Sequence, residues 1–390
     1  MDPPVNLRDR TAIIGAGSSA FTRTAERSNI LLAADAFQAA LADAGLRRED
    51  VDGVVNVLGR ASGIDLDELV AGLGIESRFS TQTWTHSRLM STAIQHACLA
   101  VAAGIADVVA VFVVAGYLKP EGTANRQHEA FRGRGGPHGE APHYGILTTM
   151  GGAALATRRY RELYGLTDEQ QGMLSVTLRR HASLNPAATM RKPITLDDYR
   201  ASPFLVDPLR LYDVGPNTEG ACCILVTRAG RAADAPGKPV YVSGFQGMAM
   251  GPSEFVFSRP GLGALHQPAG PFEAERDQIA YRMAGVTPAD IDGLYTFDAF
   301  TTLILFALER FGFCAAGEAG AFVAEGGIAL GGRLPVNTNG GIHSEAHVSG
   351  ANCVVEMVRQ LRGECGERQI ADARILQWGD CFGDALILRN

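Results

Sequence analysis

Apolar and polar positions alternate in blocks that predict helices, each followed by a buried strand. An Ala-rich amphipathic stretch over residues 28–44 ends at Gly45, and an apolar run starts after Asp52-Gly53. Glycine is the usual helix-ending residue, and apolar residues at helical spacing mark the buried face of a helix. The stretch Met90–Gly104 is followed in the same way by the apolar run Val108–Gly116. This alternation predicts a layered α/β protein with mainly parallel strands.

A segment of the chain occurs twice, without a gap, at an offset of 240 residues. Residues 44–55 read AGLRREDVDGVV, and residues 284–295 read AGVTPADIDGLY. Each copy follows a predicted helix, which starts near residue 28 in the first half and near residue 273 in the second. Later in the second half, the helix-like stretch His347–Gly363 precedes the strand-like run 373–377. Chance similarity is the alternative, but the repeat favours two similar α/β halves, residues 1–235 and 236–390.

Composition and charge exclude several classes of protein. A chain of 390 residues with 46% hydrophobic and 20% charged residues is globular and too long for one simple core. A net charge of −7 argues against nucleic acid as the main partner. The start of the chain lacks the segments of a signal peptide, and the longest apolar run, Val108–Gly116, is too short to span a bilayer. The seven cysteines lack Cys-x-x-Cys spacing, which predicts reduced thiols in a cytoplasmic protein, with Cys222 and Cys223 in its core.

Two motifs suggest chemistry that their context does not support, and a third motif is absent. Gly15-Ala-Gly-Ser-Ser-Ala20 is similar to a dinucleotide-binding loop, but the acid at the expected distance, Asp35, lies inside a predicted helix. His343 and His347 have the i, i+4 spacing of zinc ligands on a helix. No third ligand is evident, and Asn339-Gly340-Gly341 places His343 in a loop, so no metal site is predicted. The chain has no Gly-x-Ser-x-Gly motif, which argues against a hydrolase of that type.

A Gly-rich loop near the C-terminus leads into a predicted helix of roughly sixteen residues. The loop brings His347 to the start of this helix, where its imidazole can donate a hydrogen bond or move a proton. The loop resembles the Gly-His-Pro active-site loop of the thiolases, with Val348 in place of the proline. Further segments similar to that family, and above all to its sterol-carrier-type and thiolase-like members, are Ile13-Ile-Gly-Ala-Gly, Asn217-Thr-Glu-Gly-Ala, Asn337-Thr-Asn-Gly-Gly and Gln360-Leu-Arg-Gly-x-x-Gly.

The resemblance covers nearly the whole chain and implies the thiolase fold. That fold has two pseudo-symmetric α/β halves, layered α-β-α-β-α, and an inserted loop domain that holds coenzyme A; here the insertion would span about residues 117–201. From Lys119 to Arg200 there are twelve Lys and Arg against eight Asp and Glu, hence a local net charge of +4. Arg132 and Arg134 are the implied phosphate contacts. A solvated surface lobe is the alternative.

Coenzyme A would be the substrate carrier, with no covalently bound cofactor. Gly340 and Gly341 would let the backbone of the histidine loop approach it closely.

The catalytic loops depart from the family pattern. The nucleophilic cysteine of thiolases, at the start of a buried helix, is replaced by Ser87, which is a poor nucleophile without a base. Where sterol-carrier-type thiolases have His-Asp-Cys-Phe, this chain has Phe297-Asp298-Ala299-Phe300. Cys381 does not match the position of the family's C-terminal cysteine. The histidine loop is kept, and the internal repeat predicts that the Ser87 and His347 loops face each other across one cleft.

A thiolase scaffold without thiol chemistry favours retro-aldol cleavage of a β-hydroxyacyl-CoA, which needs no acyl-enzyme. Thiolase-like aldolases of steroid side-chain breakdown are similar to this chain in that respect. The resemblance implies Tyr295, Asp298 and His347 as catalytic residues, with Ser87 as an alternative nucleophile. Tyr295 or His347 would take or relay the hydroxyl proton, Asp298 would orient it, and the other donor would face the enolate oxygen.

The resemblance also implies partners and leaves two alternative functions open. A homodimer is expected, together with a small OB-fold, zinc-ribbon subunit that helps to bind the acyl-CoA. The first alternative is an acyltransferase of the thiolase or Claisen type. The second is a catalytically silent subunit that binds acyl-CoA or lipid.

Overall fold

The computed structural model describes residues 6–59, 63–83, 90–118, 149–247 and 278–390. Ser87, Arg132 and Arg134 lie outside the described residues, so their predicted roles stay predictions.

A nine-stranded sheet forms the centre of the described chain. Its strands occur in the spatial order β3-β2-β4-β7-β1-β8-β11-β10-β9, and a separate two-stranded ribbon is formed by β5 and β6. The strand ranges are β1 Thr11–Ser18, β2 Gly53–Asn56, β3 Phe79–Gln82, β4 Val108–Gly116, β5 Phe204–Val206, β6 Leu209–Arg210, β7 Glu219–Arg228, β8 Val240–Gln246, β9 Gly293–Tyr295, β10 Ile375–Gly379 and β11 Ala385–Arg389.

The expectation of mainly parallel strands is wrong. Among the described strands of the large sheet, only the pairs β2–β3, β2–β4 and β9–β10 are parallel, and the other five pairs are antiparallel. A parallel pair needs a long crossover, whereas β10 and β11 are joined by a short turn at residues 380–384 and must run antiparallel. The parallel direction predicted from helix–strand alternation therefore holds only for the outer strands of each half.

The internal repeat is confirmed as a structural repeat. The order β2-β4-β7-β1 of the first half matches the order β9-β10-β11-β8 of the second, and the halves meet where β1 pairs with β8. Gly45 and Gly285 end their helices with φ of +65° and +68°. Each is followed by a short 3-10 helix, Arg48–Asp50 in one half and Pro288–Asp290 in the other, and then by a strand. The division of the chain at residue 235 stays a prediction.

Helices cover both faces of the large sheet and also build the predicted insertion. The described helices are α1 Asn29–Ala44, α2 Leu66–Leu73, α3 Met90–Ala102, α4 Thr149–Tyr164, α5 Asp168–Ser183, α6 Leu196–Ala201, α7 Ala229–Ala232, α8 Ile279–Ala284, α9 Leu303–Arg310, α10 Ala319–Ala324, α11 Gly341–Ser344 and α12 Ala351–Arg362. The helices α4, α5 and α6 lie within residues 117–201, the range of the predicted insertion.

The helix after the histidine loop is shorter than predicted. Ser349 and Gly350 have φ of +58° and +85°, which a right-handed helix cannot contain, so α12 begins only at Ala351. Nearly all of α12 is buried, as expected for a helix shared between two layers.

The large sheet separates two hydrophobic cores. Cys222 lies in the core that includes α3 and α12, and Cys223 lies in the core that includes α1, because neighbouring residues of a strand point to opposite faces. The predicted burial of both thiols is confirmed. No helix in the described part of the chain is both long and apolar enough to cross a membrane.

Candidate active site at the histidine loop

Loops from both halves of the molecule meet around His347. Tyr117 follows β4 of the first half, and the centroid of its ring lies 5.0 Å from that of the His347 imidazole. Phe297 follows β9 of the second half, with a centroid distance of 6.2 Å. The backbone N–H of His347 donates to Thr218 Oγ1, just before β7, at 2.7 Å. The imidazole thus lies where strand ends of the two halves converge, which is where α/β proteins commonly place binding sites.

The His347 imidazole has a ring nitrogen that no described residue engages. The residue keeps partial exposure within a buried segment, and its Nδ1 has no hydrogen-bond partner among the described residues. Desolvation lowers the pKa of His347 to about 4, so the ring is neutral at neutral pH. A neutral imidazole offers one N–H donor and one acceptor nitrogen.

His343 has a structural role instead. Its Nε2 lies 2.7 Å from the carbonyl oxygen of Tyr212, and its Nδ1 lies 2.8 Å from Ser344 Oγ. With both ring nitrogens engaged, His343 has no lone pair directed at a metal ion. Among the described residues, no group of three or more His, Cys, Asp or Glu is arranged to hold a metal. The geometry therefore lends no support to the zinc alternative.

Asp298 is a buried carboxylate against the same loop. Its Oδ1 accepts the backbone N–H of Ile342 at 2.8 Å, whereas Oδ2 has no hydrogen-bond partner in the described chain. Desolvation raises the pKa of Asp298 to about 7, against the opposing effect of its hydrogen bonds. A carboxylate with a pKa near neutrality is suited to accept and return a proton at physiological pH.

Two glycines allow the loop to approach Asp298 closely. Gly340 and Gly341 have φ of +98° and +68°, and a methyl group on Gly341 would overlap Asp298 Oδ2. Their direct contact with coenzyme A stays a prediction, but the structure adds a second reason for a glycine at position 341.

We expect Gly341→Ala to displace Asp298 and to lower both stability and activity. The left-handed backbone costs about 1–2 kcal/mol and the overlap about 1–3 kcal/mol more. The control is Gly331→Ala, because Gly331 has a φ of +82° but no described atom within 4 Å of an added methyl group. Thermal unfolding and turnover should both respond to Gly341→Ala, while Gly331→Ala should show only the backbone cost. Equal effects of the two substitutions would contradict the close approach to Asp298.

Tyr295 belongs to a buried hydrogen-bond network. Its hydroxyl lies 2.6 Å from Thr338 Oγ1, and burial holds its pKa well above the usual value. Thr338 in turn contacts Glu356 and Gln360 of α12. This arrangement keeps the phenol protonated and tied to the core, which suits a positioning role. The catalytic role of Tyr295 stays a prediction.

The structure also reveals a residue that the motif search missed, Glu345. This buried carboxylate accepts hydrogen bonds from the side-chain amides of Asn185, Asn339 and Asn352. Desolvation raises its pKa to about 7. The three amides come from the end of α5, the turn before Gly340 and the start of α12, so Glu345 holds the loop in place two residues before His347. The only sequence signal was an acid in an Asn-rich loop.

None of the thiols is poised as a nucleophile. All seven cysteines lie in the described chain, none of them forms a disulfide, and six are buried. Burial raises the pKa of Cys98 and Cys314 to about 12 and that of Cys353 well above its usual value. Cys381, beside the start of β11, is also buried. Because the thiolate is the reactive form, these sites do not favour an acyl-enzyme on cysteine.

A carboxylate already occupies the start of α3. Asp384 accepts the backbone N–H groups of Ser91 and Thr92 at 2.8 and 3.2 Å, and Trp378 Nε1 donates to it at 3.0 Å. Desolvation and the neighbouring charge of Asp380 raise the pKa of Asp384 well above its usual value. The backbone N–H groups of Ser91 and Thr92 are therefore used within the chain.

Comparisons with known proteins show what this chain is similar to. The description "Thiolase C-terminal domain-like" matches residues 273–379. The 17-hydroxy-3-oxo-4-pregnene-20-carboxyl-CoA lyase of Mycobacterium tuberculosis is 37% identical over 92% of each chain. The steroid side-chain-cleaving aldolase of Thermomonospora curvata is 35% identical over 92% of this chain and 91% of its own. A solved structure named Ltp2-ChsH2(DUF35) aldolase superposes with a TM-score of 0.85 and 32% identity over 99% of both chains.

A mixed sheet built from two matching halves, with a histidine loop between them, defines a thiolase-like α/β protein. The chain belongs to the thiolase superfamily, and its predicted resemblance to thiolase-like steroid side-chain aldolases is confirmed.

Proposed function

We propose that the protein is a carbon–carbon lyase that cleaves a β-hydroxyacyl-CoA by retro-aldol chemistry. The observation that carries this proposal is a carboxylate with a pKa near neutrality that lies against the loop of a neutral imidazole, in a chain whose thiols are all unsuited to form an acyl-enzyme. Retro-aldol cleavage needs a base and an oxyanion donor, but it needs no covalent intermediate.

The pKa values favour a different division of roles from the one expected from the sequence. Asp298, with its pKa near 7, takes the proton from the β-hydroxyl group. The hydroxyl carbon becomes a carbonyl, the bond between the α and β carbons breaks, and its electron pair passes to the thioester as an enolate. His347, as a neutral imidazole, donates its N–H to the enolate oxygen. Asp298 then returns the proton to the α carbon, which leaves a shortened acyl-CoA and a ketone or aldehyde.

The substrate class and the partner follow from the relatives. One relative is named a steroid side-chain-cleaving aldolase and another a 17-hydroxy-3-oxo-4-pregnene-20-carboxyl-CoA lyase, which supports a steroid acyl group on coenzyme A. The structure named Ltp2-ChsH2(DUF35) aldolase supports a small partner subunit for this chain as well. The homodimer, the cytoplasmic location and the phosphate contacts of Arg132 and Arg134 stay predictions.

The test is a product analysis with a steroid β-hydroxyacyl-CoA, with and without a candidate small partner subunit. We expect equal amounts of a steroid ketone and a shortened acyl-CoA, measured by mass spectrometry. Consumption of free coenzyme A with a 3-ketoacyl-CoA would instead indicate thiolysis. Tight binding of the thioester without any turnover, in the presence of the partner, would indicate a silent binding subunit.

A Ser87→Ala variant should retain full lyase activity, because the proposed chemistry forms no acyl-enzyme. Steady-state turnover of the purified variant checks this, with the Asp298→Asn variant assayed in parallel to show that loss of activity is detectable. Removal of a true nucleophile typically costs about 10⁴-fold or more in kcat. A loss of that size would favour the acyltransferase alternative.

A further inference from the structure

A buried guanidinium without a carboxylate partner lies beside the histidine loop. Arg179 of α5 is only 6% exposed. Among the described residues, no carboxylate pairs with it, its Nε has no hydrogen-bond partner, and its Nη1 reaches only the carbonyl oxygen of Lys192 at 3.3 Å. Buried charges in proteins are normally paired, because an unpaired charge loses its hydration without compensation.

Two other arginines of similar burial in the described chain are paired with carboxylates. Arg362 is 7% exposed and forms an ion pair with Asp43 at 2.8 Å. Arg368 is 8% exposed and forms one with Glu356 at 2.8 Å. Arg179 is therefore buried to a similar extent, but no described carboxylate pairs with it.

The surroundings of Arg179 place it against the active-site loop. Its guanidinium carbon lies 5.4 Å from the centroid of the Tyr212 ring, and the carbonyl oxygen of Tyr212 is the hydrogen-bond acceptor for His343. The positive charge of Arg179 is close enough to contribute to the lowered pKa of His343.

A second cation approaches from another element. Arg23 follows β1, and its Nη1 contacts the sulfur of Met190 at 3.4 Å. The backbone N–H of Met190 donates to the carbonyl oxygen of Ser344, in the histidine loop, at 3.0 Å. Arg23 and Arg179 are also close enough for the charge of one to disfavour the charge of the other. An anion that contacts both guanidiniums would offset their mutual repulsion and the desolvation of Arg179.

We infer that Arg179 and Arg23 form a binding site for a phosphoryl group, and that this group is one of the phosphates of the acyl-CoA substrate. The identity of the ligand rests on the proposed function. Guanidinium is suited to this ligand because its planar fork of N–H donors matches phosphate oxygens. The site lies beside residues 343–344. It would hold the phosphate-bearing end of the acyl-CoA while the thioester reaches His347.

The test is calorimetric titration of the whole protein with coenzyme A, dephospho-coenzyme A and inorganic pyrophosphate. We expect Arg179→Gln to weaken coenzyme A binding by about tenfold to a hundredfold, equivalent to about 1.4–2.8 kcal/mol. The matched control is Arg180→Gln, because Arg180 is the next residue of α5 and is exposed. The control should bind coenzyme A as the wild type does. Unchanged affinity in Arg179→Gln would overturn the inference.

The choice of ligands separates the possible phosphates. If dephospho-coenzyme A binds the wild type as weakly as coenzyme A binds Arg179→Gln, the site takes the 3′-phosphate. If dephospho-coenzyme A binds the wild type at full strength and loses affinity in Arg179→Gln, the site takes the pyrophosphate. A substitution that weakens the binding of neither coenzyme A nor dephospho-coenzyme A would contradict a phosphate site. Because binding is measured without turnover, a wild type that binds coenzyme A but cleaves nothing would reject the proposed function and leave the site intact.

Thermal unfolding distinguishes this site from a structural role. Arg179→Gln removes an uncompensated buried charge, so the ligand-free variant should unfold at the wild-type temperature or above it. Coenzyme A should raise the unfolding temperature of the wild type and should raise that of Arg179→Gln much less. A lower unfolding temperature with undiminished stabilisation by coenzyme A would show that Arg179 serves the fold alone.

Arg23→Gln, on the surface, provides a second variant and should also weaken coenzyme A binding.

Discussion

Asp298→Asn is expected to lower kcat by about 10²–10⁴-fold, the usual effect of removing a general base. Asparagine preserves the shape of the side chain and the acceptor for the Ile342 N–H, but it cannot take a proton from the substrate hydroxyl. We expect KM to change little, since the carboxylate acts on the reacting atoms. Steady-state kinetics with a β-hydroxyacyl-CoA would measure both constants. A variant that keeps kcat within tenfold would rule out Asp298 as the base.

The pH dependence of the same variant gives an independent check. Only ionised Asp298 can act as a base, so wild-type kcat/KM should rise as the pH increases through about 7 and then level off. Asp298→Asn should lack that rise. The control is Glu345→Gln, which removes another buried carboxylate with a pKa of about 7 but leaves Asp298 in place. Its residual activity should keep the wild-type pH profile.

Asp298 should stabilise the folded protein less as the pH rises. An ordinary carboxylate with a lowered pKa does the opposite. The folded-state pKa of Asp298, about 7, lies above the unfolded value, so the folded protein holds this proton more tightly. The resulting stabilisation is complete below the unfolded pKa and is lost as the pH rises towards 7. Compared with the wild type, Asp298→Asn should therefore lose less free energy of unfolding between about pH 4 and pH 7.

His347→Phe is expected to lower kcat by about 10²–10³-fold, as found when one oxyanion donor is removed. Phenylalanine retains the ring that packs against Tyr117 and Phe297, but it cannot donate a hydrogen bond to the enolate oxygen. The free energy of unfolding should stay close to the wild-type value, because Nδ1 of His347 has no hydrogen-bond partner in the described chain to lose.

The neighbouring histidine provides a control with the reverse outcome. His343→Phe leaves the carbonyl oxygen of Tyr212 and the hydroxyl of Ser344 without a partner, which should cost about 1–3 kcal/mol of stability for each unsatisfied group. Chemical denaturation and turnover, measured on both variants, separate the two effects. If His347→Phe were the destabilised variant and His343→Phe the inactive one, the assignment of the two histidines would be reversed.

Local signals explain how much could be predicted from the chain alone. The repeat is visible because each copy is a short stretch in which a glycine ends a helix and a strand follows, and neighbouring residues encode such features. Likewise, the sequence shows directly that Ser87 and Ala299 stand where the family has cysteines. The amino-acid sequence by itself therefore determines the family, the histidine loop and the absence of cysteine at positions 87 and 299.

The direction of the strands and the protonation of the site were decided only by the tertiary structure. Most strand pairs of the large sheet join segments far apart in the chain, and local periodicity does not determine which of them become neighbours. In the same way, the pKa of Asp298 rises and that of His347 falls because distant segments bury both groups, and no local pattern records that desolvation. Arg179 is a third example, since a lone arginine in a sequence is unremarkable. It becomes a candidate binding residue only when folding buries it away from every described carboxylate.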